Sequence, residues 1–171
     1  MANKIPIYMV NGFLESGKTT FIQETLSDPY FSDGGKTLLI ACEEGEEEYD
    51  PEKFAFGGVY PATLEDKSEL TKENLEMLAK KSGCGRVVVE YNGMWMLNDL
   101  AAAMPDNWVI YQCIATADGS TFKLYANDNA MRSLLLDKVA ASELIVLNRA
   151  ENVNDEESRE FVHKVVRQAS R

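Results

Sequence analysis

Residues Gly12 to Thr19, GFLESGKT, carry two glycines with four residues between them, and a lysine and a hydroxyl residue follow the second. The spacing GxxxxGK[ST] suits chemistry at a phosphate chain. Gly12 and Gly17 permit backbone angles that turn N–H groups inward around phosphate oxygens, with Glu15 and Ser16 completing the loop between them. Lys18 supplies a point charge at the β- and γ-phosphates and is a candidate catalytic as well as binding residue. Thr19 offers a hydroxyl to Mg2+, and Thr20 a donor to the α-phosphate. So short a pattern also arises as an ordinary glycine-rich turn. Its setting separates the two readings: the loop must leave a strand and enter a helix, whose N-terminal dipole then favours anions.

That setting is present. The apolar run Ile5 to Val10 precedes the loop, and Phe21, Ile22, Thr25 and Leu26 share one helical face after it. Further β-branched-rich runs cover Thr37 to Ala41, Arg86 to Tyr91, Trp108 to Ala115 and Glu143 to Leu147. Near-continuous runs of this kind suit strands buried on both faces of a parallel sheet. Met131, Leu134, Leu135 and Val139 form another helical face, as do Phe161, Val162, Val165 and Val166 in a last helix from Asn154 to Gln168. Asp28-Pro29 ends the first helix, Asp33-Gly34-Gly35 turns into the next strand, and Pro105 stops a helix through Ala101 to Ala103. The alternation predicts an α/β, doubly wound fold with a mostly parallel sheet sandwiched between helices, and the 12–19 loop in that setting makes it a P-loop NTPase fold. At 171 residues and 45% hydrophobic content, one domain over 1–171 is expected.

Charge narrows the partners. A formal net charge of −11, from 28 acidic and 17 basic residues, argues against nucleic acid and against an anionic membrane surface. No apolar stretch approaches membrane-spanning length, and no export signal is legible. Cys42, Cys84 and Cys113 lie far apart without CxxC spacing, which suits three reduced thiols in a cytoplasmic protein.

The loop GFLxxGKTT resembles that of the CobW-like GTPases, relatives of the hydrogenase and urease nickel-insertion GTPases, which use GTP to deliver metals or assemble metal cofactors. VVVEYNG, Val87 to Gly93, is similar to the family's strand ending in ExxG, and ASELIVLNRAE, Ala141 to Glu151, to its strand ending in the guanine-reading NKxD. ACEEGEEEYD stands where the family carries an acidic first switch, and YNGMW resembles a less studied branch. The resemblance implies that Glu90 orients Mg2+ through water or positions the attacking water, which makes it a second catalytic candidate. It implies that the Gly93 N–H approaches the γ-phosphate, that Asn148 reads the guanine edge and helps hold the loop, and that the Arg149 stem covers the base. Glu151 stands in place of the usual Asp, one methylene longer, so it bears on guanine selectivity. Glu43, Asp50 and Glu90 become candidate magnesium carboxylates beside Thr19. GTP and GDP are the expected ligands, a metalloprotein client and a homodimer the expected partners.

Two departures stand out. Glu15 occupies a loop position where the family commonly has Gly, so its side chain must point away from the phosphates. The family's CxCC metal motif is absent, since residues 57–62 read GGVYPA, and a transition-metal cargo is therefore not identifiable from ligands. Each site residue also has a structural reading: a solvated acidic run for 43–50, a turn residue for Asn148, a loop glycine for Gly93. His163 reads as a surface helical residue, and the stretch Met94, Trp95, Met96, Leu97 and Leu100 as helix packing. A P-loop kinase and a module that holds nucleotide without turnover stay open as alternatives. The resemblance further implies that the chain is the nucleotide domain of a longer protein, lacking the family's C-terminal domain.

Overall fold

The computed structural model describes residues 3–42, 45 and 47–170. Six parallel strands form one sheet: β1 Ile5–Asn11, β2 Thr37–Ala41, β3 Val59–Thr63, β4 Arg86–Glu90, β5 Trp108–Asp118 and β6 Leu144–Asn148, in spatial order β3-β2-β4-β1-β5-β6. Among the described residues six α-helices flank them, α1 Lys18–Ser27, α2 Lys72–Ser82, α3 Leu97–Ala103, α4 Phe122–Asn127 and α5 Asn129–Ala140 between strands and α6 Glu156–Ala169 after the last. This is the α/β, parallel-sheet architecture the apolar alternation predicts.

The period-two alternation of β1 explains the layering. Ile7 and Met9 join Leu38, Ile40, Val87 and Val89 in a cluster closed by Leu75 of α2 and Leu97, Leu100 and Ala103 of α3. Val10 points to the other face and packs with Leu39, Val88 and the α1 residues Ile22 and Leu26. A third cluster joins Ala117 of β5 to Phe122, Leu135, Val139 and Val165 of α4, α5 and α6. Register then decides where the strands end. Val10 pairs with Glu90, Asn11 with Ala115, and Asp118 with Asn148, so the loops after β1, β4, β5 and β6 gather at one edge of the sheet.

Several boundaries differ from the sequence expectation. β5 runs three residues past Ala115, because Asp118 still pairs with Asn148. β6 is an edge strand, half-buried with Leu144 48% exposed, rather than a buried one. β3, in the VYPAT stretch, was not anticipated: Pro61 lacks a ladder donor, and an edge strand bonded only to β2 tolerates that. The last helix begins at Glu156 instead of Asn154, since Asp155 caps it by accepting from the Ser158 N–H at 2.8 Å. The 94–100 stretch divides. Leu97 and Leu100 are buried, whereas Met94 and Met96 are 58% and 40% exposed.

Candidate functional site

At the C-terminal edge of the sheet the 12–17 loop wraps into the start of α1. Gly12 adopts φ 149° and Gly17 φ 100°, the region glycine alone enters cheaply. A Cβ on Gly12 would lie 2.4 Å from the Thr116 carbonyl oxygen, and one on Gly17 would lie 2.7 Å from Asn148 Nδ2. Gly12 is therefore required by contact with backbone as well as by conformation, and Gly17 by conformation. Behind the loop the Ser16 hydroxyl hydrogen-bonds Thr116 Oγ1 at 2.6 Å, tying it to β5. No side chain caps α1 at Gly17. Such a helix start suits an anion.

Lys18 is 3% exposed, and its Nζ donates to the carbonyl oxygens of Gly12 and Phe13, each at 2.8 Å. The ammonium thus braces the loop from within. Beside it Thr19 Oγ1 donates to Glu90 Oε1 at 2.8 Å, and Tyr49 OH donates to Glu90 Oε2. Burial first, then the adjacent Glu90 carboxylate, push the Tyr49 phenol well above its usual value, which keeps it a donor. Thr20 Oγ1 donates to the Glu47 carboxylate.

Across the cleft Asn148 Nδ2 reaches the Ser16 carbonyl at 3.5 Å, and Arg149 adopts a left-handed φ of 49°. The Arg149 guanidinium pairs with Asp118 and donates to the Glu15 carbonyl at 3.3 Å. Asp118 also accepts from the Ser120 N–H at 2.8 Å and the Ser120 hydroxyl at 2.6 Å. Burial raises its carboxyl, but the Ser120 contacts and then Arg149 outweigh that and hold it below the ordinary aspartate range.

Leu14, Glu15, Gly17, Lys18, Thr19, Thr20, Gly45, Glu47, Glu90, Asn148 and Arg149 line one cleft. Sequence-stated candidates outside that lining have other placements. Gly12 and Ser16 form the wall behind it. Gly93 packs on the loop backbone, where a Cβ would meet Gly12 O at 2.6 Å and Phe13 Cα at 2.7 Å. Asp50 caps a short 3-10 turn at the Glu52 N–H and pairs with Lys53 at 3.1 Å, so its carboxylate serves local structure. Glu151 is exposed on the 3-10 turn Ala150–Val153. Glu43 lies outside the described residues. Glu15 sits at φ 58°, which accounts for glycine suiting that position.

Tyr49, Thr116, Asp118 and Gly119 escaped the sequence reading. A Cβ on Gly119 would lie 2.6 Å from the Arg149 carbonyl, a contact between two strand ends that only the register of β5 and β6 creates. The Asp118-Gly119-Ser120 turn was the one available signal.

The chemistry of the donor set fits a hard cation. Thr19 and Glu90 present oxygen donors beside the phosphate loop, the partial protein ligation that suits Mg2+ shared with phosphates and water. Among the described residues no group of three or more His, Cys, Asp or Glu side chains converges on a metal position, and Cys42, Cys84 and Cys113 are each buried.

Fold and cleft together define a P-loop nucleotide-binding domain. The family model described as CobW/HypB/UreG, nucleotide-binding domain, matches residues 6–171, and the chain belongs to that family. It is 25% identical over 190 residues to the zinc chaperone CobW of a Sinorhizobium species, an alignment covering 88% of this chain and 52% of the relative. The chain spans about half the length of that relative.

Proposed function

We propose that the chain binds Mg·GTP, hydrolyses it slowly, and couples the bound nucleotide to delivery of a metal or metallocofactor to a client protein. The observation that carries this reading is the convergence of Lys18, Thr19, Glu90, Asn148 and Arg149 on one cleft. Lys18 leaves part of its bracing role to neutralise the β- and γ-phosphates, while the Thr20 hydroxyl turns from Glu47 to the α-phosphate. Thr19 and Glu90 would hold Mg2+, which when bound would neutralise developing charge on the phosphates. Glu90 then positions the attacking water. Asn148 and Arg149 meet the base, and Glu151 tunes its selectivity.

The relative's name makes zinc the first cargo to test. Self-association around nucleotide, a cytoplasmic setting and a longer native chain complete the proposal; among the described residues no helix is long and apolar enough to cross a membrane. The test is nucleotide affinity for GTP, ATP and their diphosphates with and without Mg2+, alongside phosphate release. Tight, magnesium-dependent GTP binding with turnover is expected. Phosphate transfer to a small acceptor would favour a kinase, and binding without release a nucleotide-holding module.

A further inference from the structure

Resting on the nucleotide reading above, we propose that Tyr49 is a positioning residue for Glu90, fixing the carboxylate that serves the magnesium and the attacking water. Both Glu90 oxygens are engaged by donors from different elements: Oε1 by the Thr19 hydroxyl at 2.8 Å, and Oε2 by the Tyr49 phenol. A carboxylate only accepts, so both hydroxyls donate, and two donors set the plane of the group. On the nucleotide reading, Thr19 is the hydroxyl that would hold a bound magnesium. Once Thr19 turns to the metal, Tyr49 is the restraint that keeps the carboxylate in place.

Tyr49 is itself well held. Its ring packs against the cluster of Val10, Ile22, Leu26, Leu39 and Val88. The next residue is clamped to α1 by the Gln23 amide, which accepts from the Asp50 N–H at 2.8 Å and donates to the Asp50 carbonyl at 3.2 Å. Gln23 lies four residues after Thr19, on the same face of α1. The chain that follows the acidic run is therefore locked to the helix that carries the phosphate loop. Glu90 is 3% exposed, so little solvent reaches its carboxylate to replace the donor that a shift of Tyr49 removes.

The test compares the wild-type chain with Tyr49→Phe, Glu90→Gln and the double variant. Tyr49→Phe keeps the packed ring and removes only the hydroxyl. Three quantities are read: the Mg2+ concentration that half-saturates binding of a fluorescent, non-hydrolysable GTP analogue, the kcat for GTP, and the melting midpoint. Outer contacts to metal-serving groups carry about tenfold to a hundredfold in affinity or rate, and Tyr49→Phe is expected to lose that much in Mg2+ dependence and in kcat, together with the modest fall in midpoint that one donor lost from a buried carboxylate causes. The double variant should match Glu90→Gln alone, because the phenol acts through that carboxylate. A silent Tyr49→Phe, a loss confined to stability, or effects that multiply in the double variant each overturn the assignment. A wild-type chain that binds no GTP analogue defeats the nucleotide reading and the positioning role with it, and is recognised by absent signal before any variant is compared.

Discussion

Lys18 shows how one side chain serves both the ligand and the fold. From the sequence alone, Lys18→Ala removes a phosphate-binding charge and no core contact. The structure corrects the second half, because the buried ammonium holds two loop carbonyls. We expect Lys18→Ala to abolish triphosphate binding in calorimetry and also to lower stability by about 1–3 kcal/mol in urea unfolding, the cost of buried acceptors left without a donor. Gly93 is the second such case. Gly93→Ala would press a methyl into the Gly12 carbonyl and the Phe13 backbone, neither of which is a flexible side-chain end. Overpacking of this kind costs about 1–3 kcal/mol. GTP affinity is expected to fall at least tenfold, and an alanine variant of normal affinity would show that the loop yields freely.

Between elements, the Asp118 and Arg149 pair joins the end of β5 to the turn after β6. A carboxyl held below its unfolded value stabilises the native state above the ordinary aspartate range, near pH 3.9, and loses that contribution as pH falls through its folded value. Asp118→Asn should therefore flatten the decline of stability between about pH 5 and pH 3, with little change in its slope near neutrality, as read by unfolding free energy against pH. An unchanged acid limb would remove Asp118 from that account. The turn after β6 also carries Glu151, exposed and outside the cleft lining. Glu151→Asp should sharpen preference for GTP over ATP in competition binding. Equal competition in both proteins would end its base-reading role.

For the whole molecule, three clusters cover the sheet while the loops stay at its C-terminal edge, so the candidate cleft is lined by residues that follow β1 and β2 and by the ends of β4 and β6. Binding to the native state alone should raise stability by about 2.7 kcal/mol at a hundredfold excess over Kd. A thermal shift with Mg·GTP that Lys18→Ala abolishes is the expected outcome. A shift that survives the substitution would place the nucleotide elsewhere.

The alternation of strands with helices and the phosphate loop were legible in the chain itself, because buried parallel strands need unbroken apolar runs and a loop that cradles phosphate needs glycine at fixed spacing. β3 was not legible: its proline speaks against a strand until an edge position is known. Nor was the partner of each site residue. Whether Tyr49 meets Glu90, Gly93 the phosphate loop, or Asp118 Arg149 depends on strand order and register, which join residues 41, 80 and 31 positions apart. Local sequence chemistry determines which groups can donate, accept or turn. The tertiary fold decides which of them meet, since contacts across adjacent strand ends arise only when distant segments share one sheet.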